Sequence, residues 1–269
     1  MSAVAVTSFA VAALAALLVI VALATARGRT EVVDYGGYLA RWRALHGVEA
    51  DQMVGGFVDT YLRLPYAVAR PLARRGVSPH VVTLLGLVVA LGSLPAYLAG
   101  GRWLFLAGFL VLVSGLCDQL DGCVAVLTQR TTTFGAIWDS AVDRLTDVVW
   151  LLGPALWLLR LPQSGRVELG LWALVAAGGT LFTLEFVRAR CQAVGYVDSQ
   201  VVTPAERPTR VVVATLAALG EGAAAAFDLR PAVVWPAGAA ALAGLTAASV
   251  GMLLVDAARR ARGDGAIGG

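Results

Sequence analysis

The chain has 269 residues, 58% of them hydrophobic and only 14% charged, with a formal net charge of +3. Those proportions exclude an ordinary soluble domain and give no basis for a nucleic-acid partner. Long, repeated apolar runs instead predict an all-α, polytopic integral membrane protein, whose backbone polar groups are satisfied inside its own helices.

Residues 3–26 form an uncharged apolar run. Ala24-Thr25-Ala26 could be read as a signal-peptide cleavage site. No basic residue precedes the run, however, and Arg27 and Arg29 follow it, which favours a retained N-terminal transmembrane anchor over residues 1–27 with its start outside. Residues 28–78 are the most polar part. Within them, residues 51–75 mix Met53, Phe57, Tyr61, Leu62 and Leu64 with Arg63, Arg70, Arg74 and Arg75. This pattern predicts an amphipathic helix on the membrane surface, broken by Pro65 and Pro71; a solvated connector is the competing reading.

Ser78-Pro79 suits a helix start. The expected body covers residues 79–258, with six spans at 81–98, 103–117, 134–159, 169–187, 211–227 and 232–255. A polar turn is expected at 129–133, a long polar loop at 188–210 and a basic tail at 259–269. All basic residues are arginine, 21 in number. Placing the polar N-terminal segment, the 129–133 turn, the 188–210 loop and the tail on one side leaves only Arg102, Arg160, Arg166 and Arg230 on the other. The positive-inside rule makes the arginine-rich side cytoplasmic. Cys117, Cys123 and Cys191 have neither metal-site nor disulfide spacing and read as small apolar fillers.

Chemistry concentrates between residues 118 and 143. Asp118 and Asp121 are three apart and Asp139 and Asp143 four apart, so each pair lies on one face of a helix. Carboxylates in or beside a membrane helix are costly and persist where they face a polar cavity, a partner or an ion. Four of them aimed at one place would repel, and one or two divalent cations would convert that repulsion into binding. Oxygen ligands favour Mg2+ or Mn2+, and a hard cation held by carboxylates most often manages phosphate. Gly122 and Ala125 leave one helix face open to close approach, and Gly135 lies one turn before Asp139.

The pattern Asp-x2-Asp-Gly-x2-Ala-Val-x8-Gly-x3-Asp-x3-Asp closely resembles the signature of the CDP-alcohol phosphatidyltransferase family. The family has Arg where this chain has Val126; the other fixed positions match. The resemblance implies transfer of a phosphatidyl-type group from a CDP-linked lipid, CDP-diacylglycerol, to a polar alcohol, with release of CMP, by a homodimer in the inner membrane. It implies that Asp118, Asp121, Asp139 and Asp143 hold the metal, as two ions in that family's manner, and that Asp143 is also the general base. It also implies donor contacts from Thr83, Asp118, Gly122, Ala125, Thr132 and Gly135. Residues 76–83 are similar to the family's Pro-Asn-x-x-Thr helix entry, with His80 replacing Asn; for Thr83 a capping or packing role stays equally open. Arg188, Arg190, Arg207 and Arg210 resemble the family's arginine-bearing loop and are candidates for the acceptor, against a purely positive-inside role. The missing Arg at position 126 implies a changed donor, weakened activity, or rescue by Arg130.

Two other classes remain open at this level. A catalytically silent membrane protein of the same fold would bind metal without turnover. An ion or proton carrier would spread its acids along several spans, whereas here four are bunched together and only Glu221 stands apart in an apolar helix. Buried and unpaired, Glu221 is expected to be neutral. Arg144 and Asp147 are expected to steady the acidic cluster.

Overall fold

The computed structural model describes residues 4–5, 8, 11–14, 16, 20, 32–46, 57–196 and 202–265. The expected anchor over residues 1–27 lies, apart from isolated positions, outside them. The described elements are α1 (Tyr35–His46), α2 (Phe57–Arg74), α3 (Pro79–Ala99), α4 (Trp103–Thr128), α5 (Thr133–Leu159), α6 (Gly165–Ala193), α7 (Arg207–Ala226) and α8 (Trp235–Gly265), with no strand among the described residues. Two compact units are formed, Met1–Gly92 with Val113–Val149 and Ser93–Leu112 with Trp150–Gly269.

Five helices, α3, α4, α6, α7 and α8, are long and apolar enough to cross a membrane. Their outward side chains agree: Phe109, Trp172, Val175, Phe186 and Leu216 are all exposed, as lipid-facing residues would be. Helix α5 is 27 residues long but divided in character. Its first half carries Asp139, Asp143, Arg144 and Asp147; its second half, from Val148, is uncharged. The chain is an all-helical integral membrane protein.

In the first unit, Asp34 opens α1 by accepting the Gly37 N–H at 2.8 Å. Helix α2 is strongly amphipathic. Leu62, Tyr66, Ala69 and Ala73 recur at helical spacing and are buried with Tyr38 of α1, Val82 of α3 and Cys123, Val124, Val126 and Leu127 of α4. Pro65 and Pro71 were expected to break this segment, yet both lie inside the continuous helix. Each removes one backbone N–H, and the continuous buried stripe on either side holds the helix together across both. Helices α3 and α4 approach closely at Gly86, where a Cβ would lie 3.1 Å from Cys117 Cβ, and Ser114 Oγ donates to Gly86 O at 2.9 Å.

In the second unit, α6 runs along α8 and α7 also packs on α8. The expected 188–210 loop is shorter than predicted: α6 continues to Ala193 and α7 begins at Arg207. The arginines of the stretch are carried on the helix ends, and two of them are ion-paired. Arg188 binds Glu206 at 2.8 Å, and Arg210, with 4% side-chain exposure, binds Glu185 at 2.8 Å. The predicted basic tail is helical through Gly265, with Arg260 paired to Asp256 one turn earlier.

Glu221 corrects another expectation. It is 1% exposed but not unpaired. Its carboxylate accepts the backbone N–H groups of Val233 (3.2 Å), Val234 (2.9 Å) and Trp235 (3.2 Å), and so closes the start of α8. These are donors that a helix N-terminus leaves without intrahelical partners. Glu221→Ala is expected to lower stability by about 3 kcal/mol, because the orphaned N–H groups would stay buried. Thermal unfolding in detergent measures this, and a variant as stable as wild type would show that the carboxylate is not needed there.

Glu206 has a distinct pH signature. Burial works against its charge, but the Thr203 hydroxyl, the nearby Arg188 and the Thr203 N–H outweigh it and hold the carboxyl below the ordinary 4.5. A lowered folded-state value means stability that is fully present above the unfolded value and lost as pH falls. Glu206→Gln should therefore melt below wild type at neutral pH, with the gap closing as pH drops below about 4.5. A gap that stayed constant down to pH 3 would assign the loss to packing instead.

Candidate active site

Asp118 and Asp121 sit on α4, and Asp139 and Asp143 on the first three turns of α5, after the 129–132 turn. That turn is built by local chemistry. Gln129 takes a left-handed conformation (φ 54°), and Arg130 N–H then donates back to Ala125 O at 2.9 Å, closing the end of α4. Thr132 caps α5: its Oγ1 accepts the Gly135 N–H at 2.9 Å. Gly135 has little room for a side chain, since a Cβ would lie 3.0 Å from Thr132 Oγ1 and 3.5 Å from His80.

The hairpin brings the two acidic pairs together. One oxygen from each of Asp118, Asp139 and Asp143 lies within 4.8 Å of the others, and all three residues are half-buried. Asp121 is 5% exposed and feels the charges of Asp139 and Asp143. Its Oδ2 is buried without a hydrogen-bond partner among the described residues. Orphaned buried carboxylate oxygens are expensive. An all-oxygen set of this kind fits a hard divalent cation. Arg144 and Asp147, expected to steady the cluster, pair with each other at 3.3 Å on α5, and Asp147 is fully buried.

A cavity of about 410 Å³ opens beside these acids. Asp118, Asp121, Gly122, Ala125, Thr132, Gly135 and Asp139 line it, as does Thr83. A Cβ on Gly122 would meet nothing within 4 Å, so that face of α4 is open. Thr83 Oγ1 donates to Pro79 O at 3.1 Å and adjoins the Asp121 carboxylate. Its single proton serves one acceptor at a time, so both a packing and a ligand role are compatible with its place. Val126 is 6% exposed in the apolar core cluster and also reaches the cavity wall, where Arg130 supplies a guanidinium.

Sequence reasoning did not assign His80, Tyr38 or Trp42 to the cavity, yet all three line it, as does Arg130, which the sequence offered as a stand-in for the missing Arg at position 126. His80 had a signal, its place at the α3 entry; Tyr38 and Trp42 had none, because only tertiary folding brings them near. The four arginines expected at the acceptor belong to the other unit. Arg188 and Arg210 are engaged by glutamates, Arg207 lies 5.4 Å over the Trp150 ring, and Arg190 is exposed.

Comparison with known proteins agrees with this arrangement. Archaetidylinositol phosphate synthase of Pyrococcus horikoshii is 30% identical over 153 residues, 56% of this chain and 74% of that protein. Phosphatidylinositol phosphate synthase of Mycolicibacterium smegmatis is 32% identical over 161 residues, 59% and 68% of the two chains. Among solved structures, Mycobacterium tuberculosis phosphatidylinositol phosphate synthase with CDP-DAG bound superposes with a TM-score of 0.57 at 27% identity, covering 71% of this chain and 92% of that one. The same enzyme with manganese and citrate gives 0.58 at 26% identity, covering 71% and 87%. The family model for CDP-alcohol phosphatidyltransferases matches residues 76–249, which include the whole acidic hairpin, and the chain belongs to that family of membrane transferases.

Proposed function

We propose that this protein moves a phosphatidyl-type group from CDP-diacylglycerol to an inositol phosphate or a similar polar alcohol, releasing CMP on the cytoplasmic side of the membrane. The observation that carries the reading is the meeting of Asp118, Asp139 and Asp143 oxygens within 4.8 Å beside a cavity. Three like charges that close repel by about 3–4 kcal/mol per pair at a protein-surface dielectric. Such a set is retained where a cation is to be held. The relatives support the substrates: the similar proteins are named for phosphorylated inositol lipids, and one solved neighbour holds CDP-DAG.

In this reading Asp118, Asp121, Asp139 and Asp143 hold Mg2+ or Mn2+, as two ions. Bound there, the cations would offset charge on the transferring phosphoryl group and on the departing nucleotide. Gly122 and Ala125 leave the α4 face bare for the nucleotide. Thr132 and Gly135 present the start of α5 to the donor phosphates, a favourable place for an anion. Thr83 lines the same cavity beside Asp121. Arg130 provides from the turn the positive charge that Val126 lacks.

Asp143 takes the proton of the acceptor hydroxyl. The hydroxyl oxygen forms a bond to the lipid-bearing phosphorus, the bond from that phosphorus to the bridging oxygen breaks, and CMP departs with that oxygen. A free aspartate is a weak base near neutral pH, so its position against the attacking hydroxyl must supply much of the effect. The cytoplasmic assignment rests on the arginine distribution.

The test is purified protein with CDP-diacylglycerol, Mn2+ or Mg2+, and a panel of alcohols, scored by CMP release. Inositol phosphate is expected to be the best acceptor, and EDTA should abolish release until metal is restored. Metal binding with no CMP released from any pair would leave a silent protein of the same fold. Asp143→Asn should cut turnover by roughly 10²–10⁴-fold while donor binding largely survives; full rate in that variant would remove the base assignment.

A further inference from the structure

The family match begins at residue 76, yet the cavity is also walled by Tyr38, Trp42, Leu62 and Pro65, which precede it. Helix α1 is anchored to the hairpin at two points. Tyr38 is fully buried, and its hydroxyl shares a 3.0 Å hydrogen bond with Cys123 Sγ, one residue after Gly122. Burial, and then the adjoining Cys123 thiol, push the Tyr38 phenol well above its ordinary value, so it stays protonated. One turn further along α1, the Arg41 guanidinium lies against the side-chain amide of Gln129, the left-handed residue that starts the turn, and the amide oxygen is the acceptor that suits it.

These two anchors set Trp42. Its side chain is half-buried, packs against the core cluster and also lines the cavity. The bare Gly122 and Ala125 stretch of α4 lines the same cavity. The acids and Arg130 make another part of its lining polar, while Trp42, Leu62 and Pro65 are apolar. A ligand matching both halves carries phosphate at one end and a flat, weakly polar ring at the other.

We propose that Trp42 is a nucleobase-positioning residue: helix α1, outside the family region, supplies an aromatic wall against which the cytosine ring of the donor stacks. Tyr38 and Arg41 hold that wall in register with the α4–α5 turn. The wall acts on binding of the nucleotide and takes no part in the bond changes. The proposal rests on the cavity being the donor site, as argued above.

The experiment compares Trp42→Ala and Trp42→Phe with wild type by calorimetry in detergent with Mn2+, using CMP and inorganic pyrophosphate as separate probes. Loss of one stacked base should weaken CMP binding about tenfold in Trp42→Ala, leave pyrophosphate binding unchanged and be largely recovered in Trp42→Phe. In turnover, the KM for CDP-diacylglycerol should rise by a similar factor with kcat changed far less. Unchanged CMP affinity in Trp42→Ala would overturn the proposal. So would an equal loss for both probes, or an effect on CDP-diacylglycerol without one on CMP, which would place the ring against the lipid portion. Because CMP binding is read without turnover, a wild-type protein that binds CMP but transfers nothing would sink the proposed reaction and leave the wall intact.

Discussion

Mutual repulsion among carboxylates that a short hairpin forces together is the constraint on which the site depends. The oxygens of Asp118, Asp139 and Asp143 converge within 4.8 Å, with Asp121 buried behind them. Arg144, one residue after Asp143, pairs with Asp147 at 3.3 Å on the same helix. The hairpin has to be rigid to keep four acids at one place. Gln129 in its left-handed conformation, the return bond from Arg130 and the Thr132 cap supply that rigidity within a few residues. A left-handed non-glycine residue costs about 1–2 kcal/mol, and such strain collects where geometry matters to function.

The rest of the first unit is arranged to hold α4 behind the acids. The buried stripe of α2 and the aromatic side of α1 pack on the helix face that carries Cys123, Val124 and Leu127. An amphipathic helix with this composition would also suit a membrane surface, and exposed Leu64 and Val68 beside Arg63 and Arg74 keep that property on its outer side. The same helix thus supports the cavity with one face and meets its surroundings with the other.

Polar residues within the apolar second unit divide by what they touch. Glu221 completes a helix start, Arg210 and Glu185 neutralise each other, and Arg188 with Glu206 and Thr203 ties down the segment before α7. Each would be costly alone, and each is met by a specific partner. Intramembrane charge therefore has two separate meanings in this chain. Paired, it is structural; gathered with like charge, as in the hairpin, it forms an oxygen set suited to a divalent cation.

The helical membrane class and the acidic hairpin were legible in the residues because they depend on short-range rules. Apolar run length reports a span, three- and four-residue spacings report a shared helix face, and the spacing of Asp, Gly and Ala from 118 to 143 is local enough to read directly. Partners distant along the chain were not legible. That Glu221 meets residues 233–235, that Arg188 and Arg210 are already engaged, that Pro65 and Pro71 stay within a helix, and that Tyr38 and Trp42 reach the cavity were decided only by the tertiary structure. Sequence spacing carries no information about which side chain will cross to a neighbouring helix, because that choice is made by packing many residues at once.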